Sequence, residues 1–280
     1  MKKAIQISYN GSFEKKCRYA AQAGFRAVSV NFNDMDDRSP EAWAAAPENI
    51  LRILEQNGLS CVQTHLPYYD LRISAEITDD ELENAIDHSV RVAGAIGAPW
   101  NVYHPRSAVN AGYSAAETLE ENVRRISGYL ETAERYGTGI ALENLPIFKD
   151  IIPIMPFYPN NSGDLCALVD SLKSDRVGIC WDTGHANLMD IDQAEAIRQM
   201  GERLKVTHIH NNFKFYDLHL TPDNGNIDWK SVMTALAEVG YDGPLTLETH
   251  CLYEDELLMQ AFARHNFACL EFLERLQEKQ

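Results

Sequence analysis

Short apolar runs alternate along the chain with longer stretches in which apolar residues recur every three or four positions. The short runs, rich in Val, Ile and aromatic residues, predict strands at Ala4–Tyr9, Ala27–Phe32, Ser60–Thr64, Asn101–His104, Gly139–Glu143, Val177–Asp182, Lys205–His210 and Leu245–Glu248. Most are not strictly alternating, the pattern of strands whose sheet is covered by helices. The periodic stretches predict helices at Phe13–Ala23, Pro40–Asn57, Asp79–Ile96, Ser114–Tyr136, Gly163–Leu172, Asp192–Met200, Trp229–Val239 and Glu254–Leu276. In the third, Leu82, Ile86, Val90 and Ala93 form one apolar stripe, and Gly24, Gly58, Gly97 and Gly137 follow the first four helices as stop signals. Strand and helix alternating over 280 residues predict one domain, residues 1–280, folded as a (β/α)8 TIM barrel of the α/β class. An open doubly wound sheet would want GxGxxG after the first strand, where the sequence reads YNGSFEKK.

No linker or low-complexity run divides the chain. Its longest irregular stretch, Leu145–Ser162, contains Pro146, Pro153, Pro156 and Pro159. It follows the fifth strand and so belongs to the catalytic face of a barrel, as a lid, a specificity loop, a dimer contact or a plain surface insertion. The last helix carries Leu257, Leu258, Phe262, Phe267, Leu270 and Leu273, enough to close the barrel and to leave part of its surface for a homo-oligomer contact.

Composition narrows the function classes. Lys plus Arg total 25 against 41 Asp plus Glu, a net charge of -16, which repels nucleic acid and anionic membranes, so neither is an expected partner. No segment approaches the ~18 apolar residues of a membrane span. The start, MKKAIQISYNG, lacks the long apolar region and small-residue cleavage site of a secretory signal. Cysteines 17, 61, 166, 180, 251 and 269 form no CxxC pair and are expected as reduced thiols of a cytoplasmic protein.

The chemistry concentrates in nine residues: His65, His104, Glu143, Asp182, His185, His210, Asp217, His219 and Glu248. Most stand in or just after the strand runs SCVQTH, WNVYH, GIALE, VGICWD, VTHIH and PLTLE. In a barrel these strand ends form one rim, the rim that holds active sites. Carboxylates and neutral imidazoles converging there predict a divalent-metal enzyme. Mn or Zn is the expected ion, Co, Fe and Mg are the remaining candidates, and there is room for one to three ions per chain.

The segments THLPYYD, VYHPRS, ALENLP, CWDTGHANLMDID, THIHNN, DLHLTPDNGNIDW and GYDGPLTLE, spread over the whole chain, resemble the xylose isomerase-like TIM barrel superfamily. That superfamily includes ketose 3-epimerases, sugar-phosphate isomerases and endonuclease IV. In the epimerase branch, the resemblance implies one metal on Glu143, Asp182, His210 and Glu248. Glu143 and Glu248 would then be the two proton-transfer catalysts on opposite faces of a substrate carbon, with His185 on a substrate oxygen. The metal would polarise the adjacent carbonyl and hydroxyl and stabilise an enediolate. The expected partner is a small sugar-like molecule, free or phosphorylated. In the endonuclease IV branch, all nine residues correspond to ligands of a three-metal phosphodiesterase centre. The acidic balance, LPYYDLR after His65 and PRS after His104 argue against that branch.

Two departures separate the chain from free-ketose 3-epimerases: Lys149 stands where the resemblance calls for a second Glu, and Tyr216 where it calls for an Arg. Lys149 or Arg106 is a candidate partner for a phosphate or carboxylate. Tyr68, Tyr69, Trp100, Phe148, Tyr158, Trp181 and Phe213 are candidates to stack on a sugar ring, with core packing as the plainer role. Asn144, Asn187, Asn211 and Asn212 either meet substrate hydroxyls or orient the ligands.

Overall fold

Eight parallel strands close into a barrel in sequence order: β1 (Lys2–Ser8), β2 (Ala27–Asn31), β3 (Ser60–His65), β4 (Trp100–Tyr103), β5 (Gly139–Glu143), β6 (Val177–Asp182), β7 (Leu204–Ile209) and β8 (Pro244–Leu247). β8 returns to pair with β1, so no edge is left open. The computed structural model describes residues 1–68, 79–106, 114–146, 158–251 and 253–277. Around the barrel lie α1 (Phe13–Ala23), α2 (Pro40–Gln56), α3 (Asp79–Ala95), α4 (Ala115–Tyr136), α5 (Ser162–Leu172), α6 (Thr183–Leu188), α7 (Gln193–Met200), α8 (Trp229–Glu238) and α9 (Glu256–Gln277). All eight predicted strands and all eight predicted helices are present, most with ends moved by one or two residues.

Local chemistry sets the helix ends. Ser39, Ser114, Asn161 and Asp192 cap α2, α4, α5 and α7 by accepting a hydrogen bond from a first-turn amide, and Pro40 opens α2. The six-residue α6 escapes a periodicity search because it is too short for an apolar stripe. Its N-cap is Asp182, whose Oδ1 accepts from the His185 amide at 2.7 Å. One residue therefore ends a strand, caps a helix and stands among the metal-ligand candidates.

The main core lies between sheet and helices. Outward strand residues such as Ile5, Val28, Ile140, Leu142, Ile179, Ile209 and Leu245 pack with Ile50, Ile86, Ile126, Leu165, Ile197, Leu236 and Leu270 of the helices. Inside the barrel, Val102, Ala141, Cys180 and Val206 form a small apolar layer. Two residues further along their strands stand His104, Glu143, Asp182 and His208, as the two-residue period of a strand requires.

Two bulges adjust that parity. Val28 and Ser29 pair with Cys61 and Gln63, so Val62 is an extra residue in β3. Without it, a strand with Cys61 facing the helices would also turn His65 outward; with it, Gln63 and His65 face the barrel axis. Likewise Ile179 and Cys180 pair with Leu204 and Val206, which makes Lys205 the extra residue of β7 and sets His208 opposite Asp182. Gly178 is required beside that bulge, because a Cβ there would lie 2.3 Å from the Lys205 side chain.

On the helix side of β3, β4 and β5, Asn101 ties three strands together. It accepts from Thr64 Oγ1 at 2.7 Å and donates to Thr138 Oγ1 at 2.9 Å and to the Gly139 carbonyl at 2.8 Å. Asn101→Ala leaves these fully buried groups without their partner and is expected to cost about 2–4 kcal/mol. Urea unfolding checks this: the midpoint should fall with an unchanged slope, while metal content stays that of the wild type.

Candidate metal centre

The C-terminal ends of the strands bring all nine predicted residues to one mouth, eight of them in three groups and Glu248 apart. His65 Nε2 and His104 Nε2 lie 3.4 and 3.0 Å from Glu143 Oε2. His210 Nε2 lies 2.9 Å from Asp182 Oδ1. His185 Nε2 and His219 Nε2 lie 3.3 and 3.1 Å from Asp217 Oδ2, and with His210 they form a set whose ligand atoms fall within 4.8 Å of one another. An ion held at about 2.0–2.2 Å by nitrogen and oxygen ligands separates those ligands by roughly 2.9–3.6 Å. The spacings around Glu143, Asp182 and Asp217 fall in that window.

Ring orientation agrees with the spacing. Nδ1 of His65 donates to the Leu66 carbonyl at 2.8 Å, Nδ1 of His185 to the Asn144 carbonyl at 2.8 Å, and Nδ1 of His219 to the Glu248 carbonyl at 2.9 Å. A carbonyl only accepts, so each bond places the proton on Nδ1 and leaves Nε2 as a lone-pair donor toward the carboxylates. His219 reaches this position with φ of 46°, a left-handed conformation rarely adopted by a residue with a side chain, and two hydrogen bonds hold it there.

The residue missed by sequence reasoning is His208. It is fully buried, and its Nδ1 lies 3.1 Å from Glu143 Oε1 and 3.1 Å from Glu248 Oε2. The two glutamates thus meet at His208, while Asp182 pairs with His210. The signal was present in THIH: two histidines two apart on a strand share a face. Glu248 is also braced by Gln6, whose Nε2 donates to Oε1 at 2.7 Å.

The asparagines brace the site. Asn144 accepts from the Asp182 amide and donates to the Asp182 carbonyl, at 2.7 and 2.9 Å, clamping β5 to β6. Asn187 donates to Asn212 and Asn226, Asn212 donates to the Gly184 carbonyl, and Asn211 donates to the Pro222 carbonyl. Together with the Asn211–Leu220 bridge, these bonds shape the β7–α8 connection that carries Asp217 and His219.

The aromatic candidates divide. Tyr68 stacks on the His104 ring at 4.3 Å, beside the site. Trp100 lies at the opposite end of the barrel, at the start of β4 and below Lys205, so it lines no rim. Trp181 and Tyr158 are buried core, and Phe213 and Tyr216 are exposed. The Arg106 guanidinium lies 3.8 Å from Glu83 of α3. Tyr69, Phe148, Lys149, Pro153 and Pro156 fall outside the described residues.

Burial pushes the Glu143 carboxyl up, but His208 and His104 offset this and hold it well below the usual carboxylate range. Glu248 is likewise raised by burial and drawn well below by His208 and His219. Asp217, raised by burial, is drawn down by His185 and His219. The histidines respond in kind. Burial lowers His208, yet Cys180, Glu248 and Glu143 raise it well above its ordinary value. His219, lowered by burial, is raised by Asp217 to about 9. His104 stays lowered because burial prevails over Glu143.

The family described as xylose isomerase-like TIM barrel matches residues 17–265. The chain belongs to this family. An uncharacterised family relative, y4fM of Sinorhizobium fredii, is 40% identical over 232 residues, covering 83% of this chain and 69% of its own. A D-psicose 3-epimerase of Ruminiclostridium cellulolyticum is 25% identical over 263 residues, covering 89% and 83%. The crystal structure of a D-tagatose 3-epimerase-like protein superposes with a TM-score of 0.79 at 24% identity, over 100% of this chain and 99% of the other, and shows the shared barrel.

Two expectations follow from this geometry. A Cβ on Gly184 would lie 1.8 Å from the His210 ring, so Gly184→Ala must displace that imidazole. Metal affinity measured by calorimetry should fall at least about tenfold with the fold retained. The second concerns the metal-free protein. His219 is raised from 6.5 to about 9, so its contribution, on the order of 3 kcal/mol, is complete below pH 6.5 and lost as pH rises through 9. His185 and His208, also raised, add in the same sense, and His104, lowered, opposes them. The lowered Glu143, Glu248 and Asp217 contribute above about pH 4.5 and are lost as pH falls below it. Melting temperature without metal should therefore decline between pH 6.5 and 9.5, and a flat or rising profile contradicts the assignment.

Proposed function

We propose that this chain is a divalent-metal-dependent isomerase or epimerase acting on a sugar or sugar phosphate. The observation that carries this reading is the pair of buried glutamates, Glu143 at the end of β5 and Glu248 just after β8, drawn to the ionised form and aimed into a mouth lined by imidazoles. Proton abstraction beside a carbonyl needs one carboxylate to take the proton and a second group on the other face to return it. Glu143 and Glu248 take these roles, the returning carboxylate first taking up a proton from solvent. Glu143, Asp182, His210 and Glu248 would hold one ion, Mn or Zn by donor type, which would supply Lewis-acid polarisation of the substrate carbonyl. His185, its Nδ1 tied to the Asn144 carbonyl, presents Nε2 to a substrate oxygen. His208 stabilises both carboxylates and keeps their mutual repulsion tolerable. The substrate is held differently from a free ketose in the named epimerases, because Tyr216 is two-thirds exposed and Lys149 is not a glutamate.

A second reading, a two- or three-metal phosphoester hydrolase, draws support from the extra ligand groups, His65 and His104 on Glu143, and His185 and His219 on Asp217. The charge of -16 weighs against a nucleic-acid substrate. The six free cysteines suit a cytoplasmic protein.

Solvent deuterium exchange separates the readings. Incubation in heavy water with ketoses and ketose phosphates should place deuterium on a carbon next to the carbonyl, and Glu143→Gln should lower the rate at least about 1000-fold. No exchange over that panel, with two or three ions per chain and release of phosphate from phosphate esters, transfers the assignment to the hydrolase.

A further inference from the structure

Away from the barrel mouth, a separate cluster joins α9 to the loop before α8. His265 and Cys269 stand one helical turn apart on one face of α9. Asp223 comes from the β7–α8 connection, and a single carboxylate oxygen meets both. Asp223 Oδ1 lies 3.1 Å from His265 Nε2 and 3.3 Å from Cys269 Sγ, and Sγ lies 3.7 Å from Nε2. For a tetrahedral zinc ion, with bonds of about 2.0–2.2 Å to nitrogen and oxygen and about 2.3 Å to sulfur, the edges between ligands come to roughly 3.3 Å for N–O and 3.6 Å for pairs with sulfur. The three measured edges match one face of that tetrahedron to within about 0.3 Å.

The arrangement does not suit an activated nucleophile. A thiol–imidazole–carboxylate relay needs the carboxylate on the ring nitrogen remote from the thiol. Here carboxylate and thiol approach the same nitrogen, so the three donors converge on a point. Both supports are rigid. Leu270 and Leu273 bury α9 in the main core, and the Pro222 carbonyl, next to Asp223, accepts from Trp229 Nε1 at 2.7 Å and Asn211 Nδ2 at 2.9 Å. Asp223 and His265 are half exposed, which leaves solvent access to the point of convergence.

We propose that Asp223, His265 and Cys269 form a second, peripheral metal site for a divalent ion of the zinc class, with water as fourth ligand. Thiolate, imidazole and carboxylate together select a borderline-soft ion over Mg or Ca. The ion pins α9 to the connection that carries Asp217 and His219, so the peripheral site supports the catalytic rim from outside. The site stands whatever reaction the barrel performs.

Thiolate ligation gives a readout that the nitrogen and oxygen groups of the mouth lack. The full chain, dialysed against a chelator, is titrated with Co2+ and with Cd2+ and followed by thiolate-to-metal charge-transfer absorption. Among the described residues, Cys180 is a second thiol near potential ligands, beside Glu143 and His208. The expected result is a saturable band that persists in Cys180→Ala, disappears in Cys269→Ser, and needs at least about tenfold more metal in Asp223→Asn and in His265→Ala. His265 is half exposed, so its variant keeps the fold and tests the site even if Cys269→Ser does not fold. Absence of a thiolate band in the wild type, or a band with unchanged midpoint in His265→Ala, overturns the proposal.

Discussion

Two carboxylates, Glu143 and Glu248, are buried against one imidazole, and the barrel mouth is organised around making that arrangement stable. Each buried charge carries a desolvation cost of several kcal/mol, and like charges add to it. His208 stands 3.1 Å from both and supplies the first compensation. Gln6 and the histidines on the Glu143 and Asp217 carboxylates supply the rest. Charge in this mouth must be neutralised by protons on imidazoles or by metal ions, and the two alternatives compete for the same nitrogen atoms. The site is thereby linked to pH and to metal through the same residues.

Support for the mouth comes from buried groups that are themselves hydrogen-bonded. Asn144 locks the backbone of Asp182 to β5, and the Asn187–Asn212–Asn226 group shapes the long connection after β7. The short α6 adds a further constraint, since its N-cap is the Asp182 carboxylate and its backbone at Gly184 packs against His210. Such a network leaves the ligand side chains few rotamers, which favours capture of an ion over collapse of the site.

Much of this was legible in the residues themselves. The alternation of apolar runs and helical stripes marked every strand of the barrel, because a parallel strand buried on both faces reads as an apolar run and a covering helix as a stripe. The strand ends then collected the ligand candidates, since a barrel has a single C-terminal rim. What escaped had short-range or ambiguous signals. α6 is shorter than any stripe. His208 sits inside a strand, where a histidine is ordinarily a core residue. Trp100, a candidate to stack on a sugar ring, opens β4 and belongs to the far end.

The sequence by itself determined the order of the elements, the barrel, and the set of donors at its mouth, because periodicity and residue type are local properties. Only the tertiary structure decided which donors meet. The extra residues Val62 and Lys205 set the parity of β3 and β7, and with it whether His65 and His208 face the axis or the helices. A one-residue offset reverses every side chain beyond it, and such an offset is fixed by pairing with the neighbouring strand, to which the sequence of a single strand carries no reference.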